Sequence, residues 1–165
     1  MNSFTIVQNE KQTQLAISVH RNAEISSIRL ARMKATADRP EEVLNDPIVL
    51  SVDVRAKHVE RQLGPLLIEV NMRLTGSKKS GKSKSTNAIC VECTFEVEYE
   101  LRPGFTPTPE QVRAFKDANA IFNCWPYCRQ HVQDVLARMG YNPPPLPLMR
   151  VQTGNRQSRK QSKPN

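Results

Sequence analysis

Long hydrophobic runs are missing from this sequence of 165 residues. No window approaches the roughly 20 consecutive apolar residues that a helix needs to cross a bilayer. The first 22 residues also lack a basic segment leading into an apolar block, which is the pattern of a secretory signal. We therefore expect a cytoplasmic protein without membrane insertion.

Recognisable catalytic motifs are scarce as well. The three histidines, His20, His58 and His131, are not accompanied by a nucleophile motif. The segment Gly76–Ser83 has the spacing of a phosphate-binding P-loop, GxxxxGK[ST], but the next element alternates like a strand. A P-loop leads into a helix whose N-terminus receives the phosphate. We therefore expect no enzymatic activity and no cofactor.

The four cysteines offer little support for a metal site. Cys90 and Cys93 are three positions apart on a predicted strand, so their side chains leave opposite faces and cannot converge on one ion. We expect Cys93 and Cys128 to be small buried hydrophobes. His131 follows Cys128 by one helical turn, which leaves a Cys/His pair open, although a histidine beside the core is commoner. We expect no metal.

Acidic residues do not balance the basic ones, and the net charge is +8. The excess lies in two segments without acids, the lysine loop (residues 76–86) and residues 152–165. Subtracting their eight cations from 24 leaves 16 basic against 16 acidic residues. The eight are Lys78, Lys79, Lys82 and Lys84 in the loop, and Arg156, Arg159, Lys160 and Lys163 near the end.

Both basic segments lack the apolar residues that would order them, so we expect a basic disordered tail over residues 152–165. Solubility is the simplest role for these charges. The alternative is a small nucleic-acid or acidic-partner binding module, in which the loop lysines form the basic patch and the tail contributes further contacts.

A two-residue period of apolar and polar side chains predicts strands with one buried face. It is clear over Ile48–Lys57, Leu66–Leu74 and Ile89–Leu101. Over Ile25–Thr36 the phase changes midway, which predicts a β-bulge. Short links favour antiparallel neighbours, so we expect a four-stranded antiparallel meander.

Two helices and an extended segment follow the strands. Thr108 to Gln111 has the form of a capping box with proline at the first helical position. A longer helix is predicted from Pro126, which suits a first turn, to Gly140, which suits the position just past a helix end. The prolines that follow favour an extended conformation over the strap (residues 141–151). The expected fold is therefore α+β, with the sheet covered on one face by a short and a longer C-terminal helix.

The helix and strap carry a resemblance to a known family. Trp125-Pro126-Tyr127 followed by Arg129, then the glycine exit and the sequence NPPPLPL at residues 142–148, resemble the SecB-like protein-export chaperones. The resemblance spans about residues 25–151, and residues 1–24 are set apart as an N-terminal extension.

The resemblance implies an ATP-independent holdase, a tetramer assembled from two dimers, that keeps unfolded client proteins in apolar grooves. The client-binding residues would come from the aromatic cluster Phe105, Phe115, Phe122, Trp125 and Tyr127, for which a place in the core is the alternative. Glu92 falls where the family places an acidic contact for the translocation ATPase SecA. Family members that serve SecA are strongly acidic, whereas this chain has a neutral body, so a dedicated client such as a toxin-antitoxin pair is the other possibility.

Overall fold

The computed structural model describes residues 4–43, 48–61, 63–78 and 87–154. No helix within these ranges has the length and apolar character needed to span a membrane. The elements in chain order are β1 (Phe4–Gln8), α1 (Glu10–His20), β2 (Ala23–Ala37), α2 (Pro40–Val43), β3 (Ile48–Val59), β4 (Leu66–Lys78), β5 (Asn87–Leu101), α3 (Pro109–Phe115), a π-helical turn (Lys116–Ala120), α4 (Ile121–Arg138) and β6 (Met149–Thr153).

The strands β2 to β5 form one four-stranded antiparallel sheet, which confirms the predicted sheet. The predicted meander is wrong for its first strand, because the order is β2-β5-β4-β3 and β2 pairs with the last strand. The connection over residues 38–47 is long enough for this crossing. The four helical residues of α2 add about 6 Å and the other six can add up to about 20 Å, whereas three strand spacings need about 14 Å. The result is a Greek-key order.

Charge explains why β2 suits a place beside β5. Glu96 on β5 lies directly opposite Glu69 on β4, and such a like-charge pair is unfavourable by itself. β2 supplies the missing cations on the outer face: Arg29 forms an ion pair with Glu96, and Arg32 lies 3.5 Å from Glu69. The basic row of β2 thus neutralises the acidic middle of the sheet.

The register of β2 against β5 shifts twice, between Ile25 and Ser27 and between Leu30 and Arg32. The second shift is the predicted β-bulge. Because of this bulge, Met33 faces the inner side of the sheet together with Ile28 and Leu30, although its position in the sequence has the opposite phase. The remaining strands keep the predicted inward sets without interruption.

α3 begins at the predicted capping box. The Thr108 hydroxyl accepts a hydrogen bond from the backbone N–H of Gln111 (3.3 Å), and the Gln111 side chain accepts one from the backbone N–H of Thr108 (2.7 Å). Pro109 occupies the first turn, where its missing N–H leaves no helical hydrogen bond unmade.

The predicted start of the longer helix at Pro126 is wrong. The π-helical turn joins α3 to α4, and α4 begins at Ile121, so that Pro126 lies inside it. Proline there removes the donor for the carbonyl of Phe122, at a typical cost of about 3 kcal/mol. Burial of Ile121 and Trp125 offsets this, since each buried large apolar side chain contributes about 1.5–3 kcal/mol.

α4 ends as predicted, at a glycine. Gly140 has a φ of 83°, a backbone conformation that favours glycine. Its N–H donates to the Ala137 carbonyl (3.0 Å), and the Tyr141 N–H donates to the Leu136 carbonyl (2.9 Å). The strap then runs without helix into β6, as its prolines predict.

The N-terminal segment is an integral part of the fold. β1 pairs in parallel with β6, from Phe4 opposite Met149 to Gln8 opposite Thr153. α1 starts at its own capping box on Asn9 and packs against α3. Gln152 and Thr153, which were predicted to belong to the disordered tail, are part of β6. Residues 155–165 of the predicted tail lie outside the described residues.

The core lies between the inner face of the sheet and the helical layer. β4 and β5 contribute its centre, and their inward side chains are almost completely buried. The helical layer contributes the following buried side chains: Val19 from α1, Val112 and Phe115 from α3, and Ile121, Cys124, Trp125, Cys128, Val132, Val135 and Leu136 from α4.

Three of the four cysteines lie in this core and should resist modification. Cys93, Cys124 and Cys128 are buried, whereas Cys90 is partly exposed on the outer face. The hydrogen bond between the thiols of Cys93 and Cys128, together with burial, raises the pKa of Cys93, so the reactive thiolate is scarce. In a native titration with a disulfide reagent we expect one fast thiol, and four after unfolding.

Cys90→Ser is the control for this titration, because it should remove the fast phase and leave the other three thiols unchanged. Two or more fast thiols in the native chain would contradict the packing of α4 on β5.

Candidate functional site

The helical layer leaves apolar side chains partly uncovered at both edges of the sheet. At the β3 edge, the strap groove has a volume of about 520 Å³. Leu50 and Val52 form its sheet side, Phe4 forms the β1 side, and Leu146 with the neighbouring prolines forms the strap side. The groove is therefore apolar and is bounded by three separate parts of the chain.

At the opposite edge lies the β2 groove, with a volume of about 360 Å³. Met33 and Ala35 of β2 line one side, and α4 lines the other with His131, Asp134, Val135, Arg138 and Met139. Exposed apolar side chains continue along the strand, since Ile25 is 47%, Leu30 40% and Met33 51% exposed. Among the residues that the structure describes, this edge is open along most of its length.

The structure separates the five predicted client-binding aromatics into two groups. Phe115 and Trp125 are 1% and 3% exposed, so they belong to the core in this conformation. Phe122 and Tyr127 are about half exposed, and Phe105 is partly buried against the core. Helical spacing places Tyr127 four residues before His131, on the flank of α4 that faces β2.

Trp125 connects α4 to the strap and to β1. Its indole Nε1–H donates a hydrogen bond to the Pro147 carbonyl (3.0 Å), and its ring lies 5.3 Å from the Phe4 ring. One turn later, Arg129 Nε donates to the Leu146 carbonyl (2.9 Å). Two side chains of α4 therefore hold the strap in place beside the groove.

Glu92, the predicted contact for SecA, lies on the outer face in an ion pair with Arg73 (3.2 Å). Lys34 is its neighbour on the other side, in register on β2. Two cations therefore flank this carboxylate.

The basic patch can be placed only in part. Lys78 ends β4, with its ammonium 3.9 Å from an Asp38 carboxylate oxygen. Lys79, Lys82 and Lys84 lie outside the described residues. No group of three or more potential metal-ligating side chains comes together within the described ranges.

The groove residues on the edge strands were not among the predicted site residues. Leu50 and Val52 carry the same alternation as the central strands, so their phase is predicted, but the pattern does not show which strands lie at an edge. Phe4 was missed because a five-residue strand near the N-terminus carries too short a pattern to be recognised.

Comparison with solved structures identifies the fold. The SecB-like chaperone Rv1957 of Mycobacterium tuberculosis, solved in complex with a ChAD peptide from the Rv1956 HigA1 antitoxin, superposes with a TM-score of 0.69 at 17% identity. The match covers 82% of this chain and 96% of that chain. A protein of unknown function from Streptococcus agalactiae gives a TM-score of 0.40 at 9% identity, covering 75% and 95%.

No protein-family model and no curated protein matches the sequence. The chain has the SecB-like α+β fold, which confirms the predicted fold class.

The burial of His131 beside the β2 groove predicts that the free energy of unfolding depends on pH. Its Nε2 is buried without a hydrogen-bond partner among the described residues, and its ring packs edge-on against Phe95. Burial lowers its pKa, despite the opposing effect of Asp134. The neutral form is favoured in the folded chain, so its contribution to stability is complete above the unfolded pKa of about 6.5 and is lost as pH falls toward the lower folded value.

We expect the free energy of unfolding, measured with urea, to decrease from pH 7.5 to pH 5.5, and His131→Phe to flatten this decrease. His20→Gln, at an exposed position at the end of α1, should preserve it. An unchanged slope in His131→Phe would show that the dependence arises elsewhere.

Proposed function

We propose that this chain is an ATP-independent holdase chaperone that binds unfolded or partly folded polypeptides in its apolar grooves. The observation that carries the proposal is the strap groove, a largely apolar surface of about 520 Å³ that is bounded by the sheet, β1 and the strap. Apolar contacts of this kind suit unfolded segments because they need no particular sequence. The proposal includes no catalytic step.

Of the five predicted aromatic residues, Phe105, Phe122 and Tyr127 are those that a client can reach in this conformation. Phe115 and Trp125 can contribute only after the elements that cover them have moved. Leu50 and Val52 join the proposed client-binding set, because they form the sheet side of the strap groove.

A dedicated client is favoured over general protein export. The structural neighbour was solved with a peptide from an antitoxin, which supports a polypeptide client such as a toxin-antitoxin component. Delivery to SecA through Glu92 has less support, because Arg73 already pairs with that carboxylate.

We assign the β2 edge to self-association, as the first step toward a dimer of dimers. An antiparallel pairing of two copies centred on Arg29 would bring the exposed Ile25 of one copy near Met33 of the other, and Glu24 near Lys34. Such a contact is self-complementary, as a two-fold dimer requires. It would cover the apolar side chains that β2 leaves exposed.

Groove substitutions should weaken client binding. In Leu50→Ser/Val52→Ser, we expect the chaperone concentration that half-suppresses aggregation of an unfolded client to rise on the order of 10-fold, which corresponds to about 1.4 kcal/mol of lost apolar contact. Light scattering without ATP measures this concentration, and circular dichroism checks the fold.

Val49→Ser is the matched control, since Val49 is adjacent on β3 but exposed on the outer face. It should retain full activity. Equal loss in both variants would argue against the strap groove. Binding of RNA or DNA that weakens steeply with salt and disappears without the loop lysines would instead favour the nucleic-acid alternative.

Self-association should depend on β2. Met33→Asp puts a charge into the proposed contact, so we expect a smaller molar mass by light scattering after size-exclusion chromatography. Val49→Asp, with similar exposure on the outer face, should keep the mass of the unmodified chain. A mass that Met33→Asp leaves unchanged would place the contact elsewhere.

A further inference from the structure

β1 is bound to the rest of the protein in the manner of an extended peptide. It pairs only with β6, so the two form a separate two-stranded parallel sheet in the described part of the chain. The pairing begins where the Phe4 N–H donates to the Leu148 carbonyl (3.1 Å) and ends where the Gly154 N–H donates to the Gln8 carbonyl (2.8 Å). Two-stranded sheets are only marginally stable without further support.

Alternate side chains of β1 provide that support. Phe4 and Ile6 pack on the core, and the buried Gln8 amide donates to the Ala114 carbonyl (2.8 Å). The intervening Thr5 and Val7 point away and are exposed. This is how strand addition works, with backbone pairing for affinity and pockets for alternate side chains.

The Phe4 pocket coincides with the strap groove. Phe4 forms one wall of the groove and also covers Trp125, whose ring lies 5.3 Å away. Departure of β1 would therefore expose Trp125 and the free edge of β6, and would join them to Leu50 and Val52 in one continuous apolar surface.

From these contacts we infer that β6 and Trp125 form a binding site for an extended polypeptide segment with an aromatic residue and, two positions later, an aliphatic one. β1 is the internal ligand of this site, and a client segment of the same pattern replaces it. The inference rests on the proposed holdase function, and it explains how the buried Trp125 becomes available to a client.

Trp125 is the only tryptophan, so tryptophan fluorescence reports directly whether β1 covers this side chain. In the full-length Phe4→Ala/Ile6→Ala chain, we expect an emission shift to longer wavelength and stronger quenching by acrylamide. A synthetic peptide of residues 2–9 should reverse both changes. It should bind this variant at least about 10-fold more tightly than the unmodified chain, whose site is already occupied.

Val7→Ala is the matched control, because it shortens an exposed side chain of the same strand. It should behave like the unmodified chain. An emission maximum that stays unchanged in Phe4→Ala/Ile6→Ala, or a peptide that fails to bind this variant, would overturn the inference and leave β1 a purely structural strand.

The unmodified chain provides a second test that does not depend on the folding of a variant. Hydrogen exchange is followed with and without an excess of reduced, carboxymethylated α-lactalbumin, which is permanently unfolded. We expect amides of residues 4–8 to lose protection when this client binds, while those of β5 keep theirs. Unchanged or increased protection of residues 4–8 in the bound state would contradict the proposed replacement of β1 by the client.

The two proposals fail in different ways. Aggregation suppression without peptide binding to the double variant would preserve the holdase and refute this site. Peptide binding without aggregation suppression by either chain would preserve the strand-exchange site and refute the holdase.

Discussion

The width of the sheet governs the rest of the structure. Neighbouring strands lie about 4.8 Å apart, so four strands present an apolar face of roughly 19 Å, whereas a helix with its side chains is about 10–12 Å wide. α4 can therefore cover β4 and β5 but not both edge strands, which remain half-exposed. The described part of the chain closes part of the β3 edge with the strap and β1, and leaves the β2 edge open. Both grooves follow from this difference in width between the sheet and the helix that covers it.

The strap can serve as a groove wall because α4 fixes it through its carbonyls. Four of its residues are prolines, which have no N–H to donate, so the strap is limited mainly to accepting hydrogen bonds. Trp125 and Arg129 supply the donors, at 3.0 Å and 2.9 Å. Both residues belong to the sequence Trp125-Pro126-Tyr127-Cys128-Arg129, which resembles the chaperone family and lies inside α4. That sequence signature therefore marks the attachment of the strap, and through it the placement of β6 and β1.

Much of the fold could be predicted because its signals are local. The unbroken alternation over Ile89–Leu101, the capping box at Thr108 and the stop at Gly140 each specify structure within a few residues. Strand order could not be predicted, since alternation identifies a buried face but not a neighbour. The predicted helix start at Pro126 was wrong because the burial of Ile121 and Trp125 outweighs the preference of proline for the first turn of a helix. The burial of Trp125 could not be predicted either, because it depends on the distant segment that carries Phe4.

An open apolar edge is a hazard for aggregation unless the chain restricts what can pair with it. On β2 the restriction comes from the outer row, where Arg29, Arg32 and Lys34 alternate with inward apolar side chains. A strand added at this edge must place apolar residues inside, and on the outer face it must avoid further cations, because like charges on neighbouring strands repel. A second copy of β2 meets these conditions in the antiparallel register that sets Glu24 beside Lys34, except at the centre of the contact, where the two Arg29 side chains face each other. Each Arg29 is already paired with Glu96 of its own chain, which reduces their repulsion. A shift of register removes the pairing of Glu24 with Lys34. The charges that neutralise Glu69 and Glu96 within one chain can therefore also select the partner at its edge.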